Sequence, residues 1–120
     1  MKWNIIAGRP IWQQLKEQIA VGIVTGNYPP GSKLPSVREL AVDAGVNPNT
    51  MQRALTELER DGLARSMGTI GRIVTEDRDK IEALRKMIAQ DVIKQYLSGM
   101  NQLGYTSEEA AQVLEEWIHE

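Results

Sequence analysis

Residues 36–62 constrain the fold most, because they encode two short helices in immediate succession. Ser36 and Glu39 have the spacing of a capping box at the beginning of the first helix. Gly45 is suited to end that helix in the left-handed conformation. Asn47-Pro48 then combines a favourable N-cap with a proline at the first helical position. Two short helices joined by a tight, glycine-containing turn predict a helix-turn-helix motif.

The second of these helices has two different faces. Its apolar residues follow the helical spacing that predicts burial, and they are Met51, Ala54, Leu55 and Leu58. The side chains left outside on the first turns are Asn49, Thr50, Gln52 and Arg53. Asn and Gln can pair with adenine edges and Arg with guanine, while the amides of a helix N-terminus favour phosphate. The same residue types also occur on ordinary solvated helices, so this face alone leaves both interpretations open.

A β-hairpin is predicted directly after this helix. Residues 63–66 and 71–75 are strand-like and are separated by a glycine-containing turn. Arg65 and Arg72 make the hairpin cationic, and Gly71 would let its backbone approach a phosphate or a minor groove. The hairpin could also simply seal the core beneath the preceding helix, and the two roles are compatible.

Further helices are predicted on both sides of this motif. Residues 10–25 form a helix with a buried face that includes Ile11, Leu15, Ile19 and Ile23, with Trp12 beside them. After residue 76, Asp77 or Asp79 can cap a long helix that runs to about Met100 or Leu103. A last helix follows, opened by a capping box at residues 106–109.

Charge divides the chain into two parts. The net charge of −2 would by itself argue against a nucleic-acid partner. Residues 1–75, however, hold nine Lys and Arg against six Asp and Glu, a net of +3, whereas residues 76–120 hold five against ten, a net of −5. We therefore expect two parts with separate tasks.

Because cysteine is absent and histidine occurs once, at His119, neither a disulfide nor a Cys- or His-based metal site is expected.

Residues 10–75 resemble the winged helix-turn-helix of the GntR family of bacterial transcriptional regulators. The resemblance is carried by the sequence Pro-Pro-Gly-Ser-Lys-Leu-Pro-Ser-Val-Arg-Glu-Leu-Ala and by Val-Asn-Pro-Asn-Thr-Met-Gln-Arg-Ala-Leu, with shorter matches around them. These stretches occupy residues 10–15, 29–41, 46–55, 58–63 and 71–74. Residues 77–120, here called the tail, are similar to the short C-terminal region of the YtrA-like branch. Genes of that branch often accompany ABC-transporter genes.

The resemblance implies binding of a dimer to a palindromic DNA operator. It implies phosphate contacts at Ser36 and Arg38, although Ser36 could act only as a cap. It places a further set of side chains in the major groove, Asn47, Asn49, Thr50, Gln52 and Arg53, and it places the wing on the minor groove or its phosphates through Gly71 and Arg72. The chain departs from the family at Pro48, where many members have Arg, and at the wing tip, where Gly-Thr-Ile-Gly replaces the common Gly-x-Gly.

The tail is expected to pair two subunits, because two helices alone have too small a core to bury so many apolar residues. The residues expected at that interface are Ile81, Leu84, Ile88, Val92, Tyr96, Val113, Leu114 and Trp117. The tail could instead fold back on its own winged helix. Tyr96 or Trp117 could line an effector pocket, but a place in the dimer core is favoured, and no effector is identified.

Together these features predict a mainly α fold with a small β-wing. Residues 1–76 form a winged helix-turn-helix DNA-binding domain, and residues 77–120 form a two-helix dimerisation region that could bind an effector. The predicted function is that of a cytoplasmic, sequence-specific transcriptional regulator, a homodimeric repressor of its own operon. The alternative is a winged-helix module for protein–protein interaction. No nucleophile–base pair or phosphate loop supports an enzyme, and no cofactor, metal or membrane partner is expected.

Overall fold

The computed structural model describes all 120 residues and contains five helices and one two-stranded antiparallel sheet. The elements are α1 (Ile11–Val24), α2 (Val37–Ala44), α3 (Pro48–Arg60), β1 (Ala64–Ser66), β2 (Arg72–Val74), α4 (Arg78–Gln102) and α5 (Ser107–Ile118). The mainly α fold with a β-wing is confirmed. The chain divides into two compact units, Met1–Leu84, here called the head unit, and Arg85–Glu120, the tail unit.

The core of the head unit lies where α1 and α2 pack on α3. The four residues predicted to face inward from α3 are at most 1% exposed, which confirms that face. Leu15, Ile19 and Ile23 of α1 and Leu40 of α2 are buried with them. Ile11, on the first turn of α1, is exposed instead, so the predicted apolar face is buried only from Leu15 onward.

The segment before α1 is held against the head unit by polar contacts that the sequence did not predict. The buried side chain of Gln14 accepts from the amide of Ile6 at 2.8 Å and donates to its carbonyl at 2.9 Å. The indole of Trp3 donates to Asp43 of α2 at 2.7 Å. These bonds explain why a glutamine is buried in α1, since a buried amide without partners would be costly.

The wing is joined to the segment that precedes α2. Strands β1 and β2 pair antiparallel, with Arg65 opposite Ile73. Lys33 forms a bridge to Ile73, and the amide of Leu34 donates to the carbonyl of Arg72 at 2.9 Å. No pattern in the sequence predicts this pairing of residues 33–34 with the wing.

Helices α4 and α5 each begin at a side-chain cap. The side chain of Asp77 accepts from the amide of Lys80 at 3.1 Å, so Asp77 caps the long helix α4. Thr106 and Glu109 form the predicted capping box at the beginning of α5. Within the tail unit, the hydroxyl of Tyr96 donates to the carbonyl of Ala110 at 2.6 Å, and Ala110 is fully buried. No helix of the chain is both long and apolar enough to cross a membrane.

Candidate nucleic-acid interface

The turn between α2 and α3 is fixed by caps on both sides. Gly45 adopts a φ of +69°, which L side chains rarely adopt, and the next amide, that of Val46, donates to the carbonyl of Ala41 at 3.0 Å. The side chain of Asn47 then accepts from the amide of Asn49 at 2.8 Å at the beginning of α3. Because the backbone groups at the end of α2 and at the beginning of α3 are hydrogen-bonded, the turn holds the first turns of α3 in a defined orientation relative to α2.

The outward face of α3 carries the predicted base-reading side chains. Asn49, Gln52 and Arg53 are exposed, and Thr50 is half-buried. Spacings of three and four residues put Asn49, Gln52 and Arg53 on one side of the helix. Asn47 is also exposed, although its side-chain oxygen Oδ1 already accepts the hydrogen bond of the cap. This surface offers amide donors and acceptors next to one cation, which suits base edges in a major groove.

Arg53 makes a contact that the sequence pattern did not predict. Its guanidinium carbon lies 4.3 Å from the centroid of the Trp12 ring, at the first turn of α1. No carboxylate forms an ion pair with Arg53. Because a stacked guanidinium keeps its charge and its in-plane N–H donors, Arg53 remains able to bind an acceptor.

The beginning of α2 presents one cation beside a complete capping box. The hydroxyl oxygen of Ser36 accepts from the amide of Glu39 at 3.1 Å, and the Glu39 carboxylate accepts from the amide of Ser36 at 3.2 Å. Hydrogen bonds to the Glu39 carboxylate, first from the backbone amide and then from the side chain of Ser36, hold the pKa of Glu39 below its usual value. Arg38 is exposed and forms no ion pair within the chain. Ser36 is therefore the N-cap of α2.

The wing is braced to α3 by a carboxylate. Glu59 of α3 accepts from the hydroxyl of Ser66 in β1 and from the guanidinium Nε of Arg72 in β2. The side chains of Arg72 and Glu59 are only 18% and 27% exposed. We call these three residues the wing brace. Arg72 was predicted to face DNA, but its charge is compensated within the chain, whereas the neighbouring Arg65 is exposed without an ion pair.

The backbone conformation at Gly71 favours glycine. Its φ is +113°, and a Cβ at this position would lie 3.2 Å from the Cε of Lys33. The exposed Lys33 side chain could move away from a Cβ, but the positive φ would strain any other residue at this position. This requirement exists whether or not Gly71 also faces a nucleic acid.

The tail unit exposes several large apolar side chains in the single chain. Val92 is 60% and Trp117 is 73% exposed, and Leu114 is exposed as well. Ile88, Tyr96 and Val113, also predicted at a subunit interface, are half-buried within this unit. The other two predicted interface residues, Ile81 and Leu84, belong to the head unit, where they are half-buried.

Acid is expected to weaken the wing brace. The hydrogen bond from Ser66 and the ion pair with Arg72 together lower the pKa of Glu59 from its usual 4.5, against the effect of burial. A carboxyl with a lowered folded-state pKa contributes stability above its unfolded pKa and loses it as the pH falls through the folded value. The unfolding free-energy difference between wild type and Glu59→Gln should therefore be largest near neutral pH and shrink below about pH 4.5. A difference that is the same at both ends of a urea-unfolding pH series would contradict this.

The fold and this surface define a winged helix-turn-helix protein. The chain matches the model of the family described as bacterial regulatory proteins, gntR family, over residues 11–74. Because the match covers more than half of the chain, the protein belongs to the GntR family of transcriptional regulators. The family assignment made from the sequence is thereby confirmed.

Individual relatives agree with this assignment. The chain is 35% identical over 112 residues to the HTH-type transcriptional repressor YtrA of Bacillus subtilis (strain 168), covering 92% of this chain and 83% of YtrA. A GntR family transcriptional regulator from Listeria monocytogenes has a similar structure, with a TM-score of 0.84, 38% identity, and coverage of 93% of this chain and 98% of that one. AraR(DBD) in complex with operator ORX1 matches with a TM-score of 0.55 and 28% identity, over 62% of this chain and 93% of that one.

Proposed function

We propose that this chain represses transcription by binding an operator as a homodimer, with α3 of each subunit in the major groove. The observation that carries the proposal is the outward face of α3, where exposed amide side chains lie beside an arginine that no carboxylate neutralises. Repression is inferred from YtrA, which is named a repressor and is similar over nearly the whole chain. The net charge of +3 on residues 1–75 would favour approach to DNA.

The proposed contacts fall into three groups. Asn49, Thr50, Gln52 and Arg53 would read base edges, with Asn47 at the border of that surface. Arg38, with the Ser36 hydroxyl, would bind phosphates at the beginning of α2. In the wing, the backbone at Gly71 would approach the minor groove. There Arg72 would act chiefly by holding the wing in place, and Arg65 would supply the free charge.

The proposed dimer explains why the tail exposes apolar residues. A second copy would cover the exposed side chains of α4 and α5 through a two-fold interface, in which each patch meets the same patch on its partner. Such a dimer could present two copies of α3 to half-sites about one helical turn apart. In this proposal residues 1–76 bind DNA and residues 77–120 form the pairing region.

The proposal is tested by selecting duplexes from a random-sequence library with the wild-type protein. The best-bound duplex should be palindromic, and its affinity should fall steeply with salt as phosphate contacts are lost. Arg38→Ala should weaken binding to all sequences alike and lower the salt slope by about 1. Arg53→Ala should cost roughly 1–3 kcal/mol on the selected duplex and relax the base preference. These values are measured by fluorescence anisotropy across a salt series.

Lys94→Ala is the matched control, because it removes one exposed cation from the tail unit. It should change neither the salt slope nor the base preference. Failure to enrich any sequence, together with binding that does not depend on salt, would contradict the proposed function. An equal response to Lys94→Ala and Arg38→Ala would contradict the proposed location of the interface.

A further inference from the structure

We infer that Trp12 is a positioning residue for DNA recognition, holding the Arg53 guanidinium in the orientation in which it meets the duplex. The inference rests on the proposed function. It assigns a recognition role to α1, a helix whose buried apolar residues serve the core. The geometry behind it is the 4.3 Å separation between the Arg53 guanidinium carbon and the Trp12 ring centroid.

The contact lies at the surface. Leu15 and Ile19 fill the core beneath α1 and are completely buried, whereas Trp12 is only half-buried. Arg53 is exposed on the second turn of α3, on the same side as Asn49 and Gln52. The Trp12 ring therefore supports a side chain that belongs to the proposed DNA-binding face.

Whether an arginine is held by a carboxylate or by an aromatic ring affects its ability to bind DNA. Arg9, Arg60 and Arg72 each form an ion pair with a glutamate, and such a partner occupies guanidinium donors and offsets the charge. Arg53 has no such partner, and its position is restrained by an aromatic face alone. An aromatic ring attracts a cation without accepting its in-plane hydrogen bonds, so these donors stay available to guanine or phosphate oxygens.

Restraining a long side chain before it binds should raise affinity. An arginine that is already ordered loses less rotamer freedom when it meets its acceptor, an effect of roughly two- to tenfold in affinity for one side chain. Trp12 should thus act only through Arg53, and its effect should vanish when Arg53 is absent. This conditional effect separates a positioning role from a purely structural one.

The test is a double-mutant cycle on DNA binding, made with Trp12→Leu, Arg53→Ala and the double variant. Each protein is titrated with the selected duplex and with a scrambled duplex of the same composition. Trp12→Leu should weaken the selected duplex roughly two- to tenfold in the wild-type background and leave it unchanged in the Arg53→Ala background. Trp12→Phe, which keeps an aromatic face, should retain most of the affinity.

Urea unfolding of each variant shows that binding is compared between folded proteins. If Trp12→Leu is poorly folded, Trp12→Met, which also removes the aromatic face, replaces it in the two Arg53 backgrounds. An equal loss in both backgrounds, or no loss in either, would overturn the inference and leave Trp12 with a structural role. If the wild type itself does not distinguish the selected from the scrambled duplex, the proposed function fails instead.

Discussion

Trp117→Glu is expected to convert the proposed dimer into monomers and to lower operator affinity about 100-fold, because two linked binding modules gain roughly 10²- to 10⁴-fold from effective concentration. The Trp117 side chain is 73% exposed in the single chain, so replacing it removes little packing within one subunit. In a dimer the same position would bury a carboxylate against apolar side chains, which is costly without a partner. Sedimentation velocity measures the assembly, and anisotropy with the selected duplex measures the affinity.

Gln112→Glu is the matched control, since it adds the same charge at another exposed position of α5. Gln112 lies about 140° around α5 from Trp117, so this variant should leave both the assembly and the affinity unchanged. A Trp117→Glu protein that still sediments as a dimer would argue that the apolar residues of the tail serve another purpose. A monomeric variant with full operator affinity would show that pairing is not needed for binding.

Glu59→Ala is expected to lower the free energy of unfolding by about 1.5–3 kcal/mol, the range for hydrogen bonds to charged groups. The substitution leaves Arg72 largely buried without its carboxylate and leaves the Ser66 hydroxyl without its acceptor. Because the wing then loses two side-chain hydrogen bonds to α3, affinity for the selected duplex should also fall. Urea unfolding and anisotropy on the same samples measure the two effects.

Glu57→Ala provides the comparison for the wing brace. It makes the same replacement on the same helix, but Glu57 pairs with Arg60, whose side chain is 72% exposed. An ion pair of that kind is worth about 0–1 kcal/mol, so the stability loss should be small. Equal losses for the two variants would mean that the wing brace does not stabilise the wing.

The local features of the head unit could be predicted from the sequence because their signals are close together in the chain. Ser36 and Glu39 are three residues apart, and the structure has the predicted capping box. The helical spacing of Met51, Ala54, Leu55 and Leu58 likewise identified a face that is now seen to be buried. Short-range hydrogen bonds and helical periodicity are the interactions that such patterns encode directly.

The contacts that refine the candidate site join residues far apart in the chain. Glu59 and Arg72 are separated by thirteen positions, and Trp12 and Arg53 by forty-one, so no spacing rule connects them. The prediction that Arg72 faces DNA used its charge and missed the carboxylate that compensates it. The sequence does contain both partners, but only the packing of α1 and the wing on α3 brings them together.

The backbone pairing between the wing and the segment before α2 has a consequence for the DNA that this protein can accept. Hydrogen bonds from Leu34 to Arg72 and from Val74 to Ser32 connect the wing to residues directly before the Ser36 cap. These bonds should restrain the separation between the wing and the beginning of α2, and so limit how far the two adjust independently to the spacing of the phosphates. We expect the duplex to change its own groove width or curvature to fit the protein, so that operator choice depends on groove width and DNA stiffness as well as on base contacts.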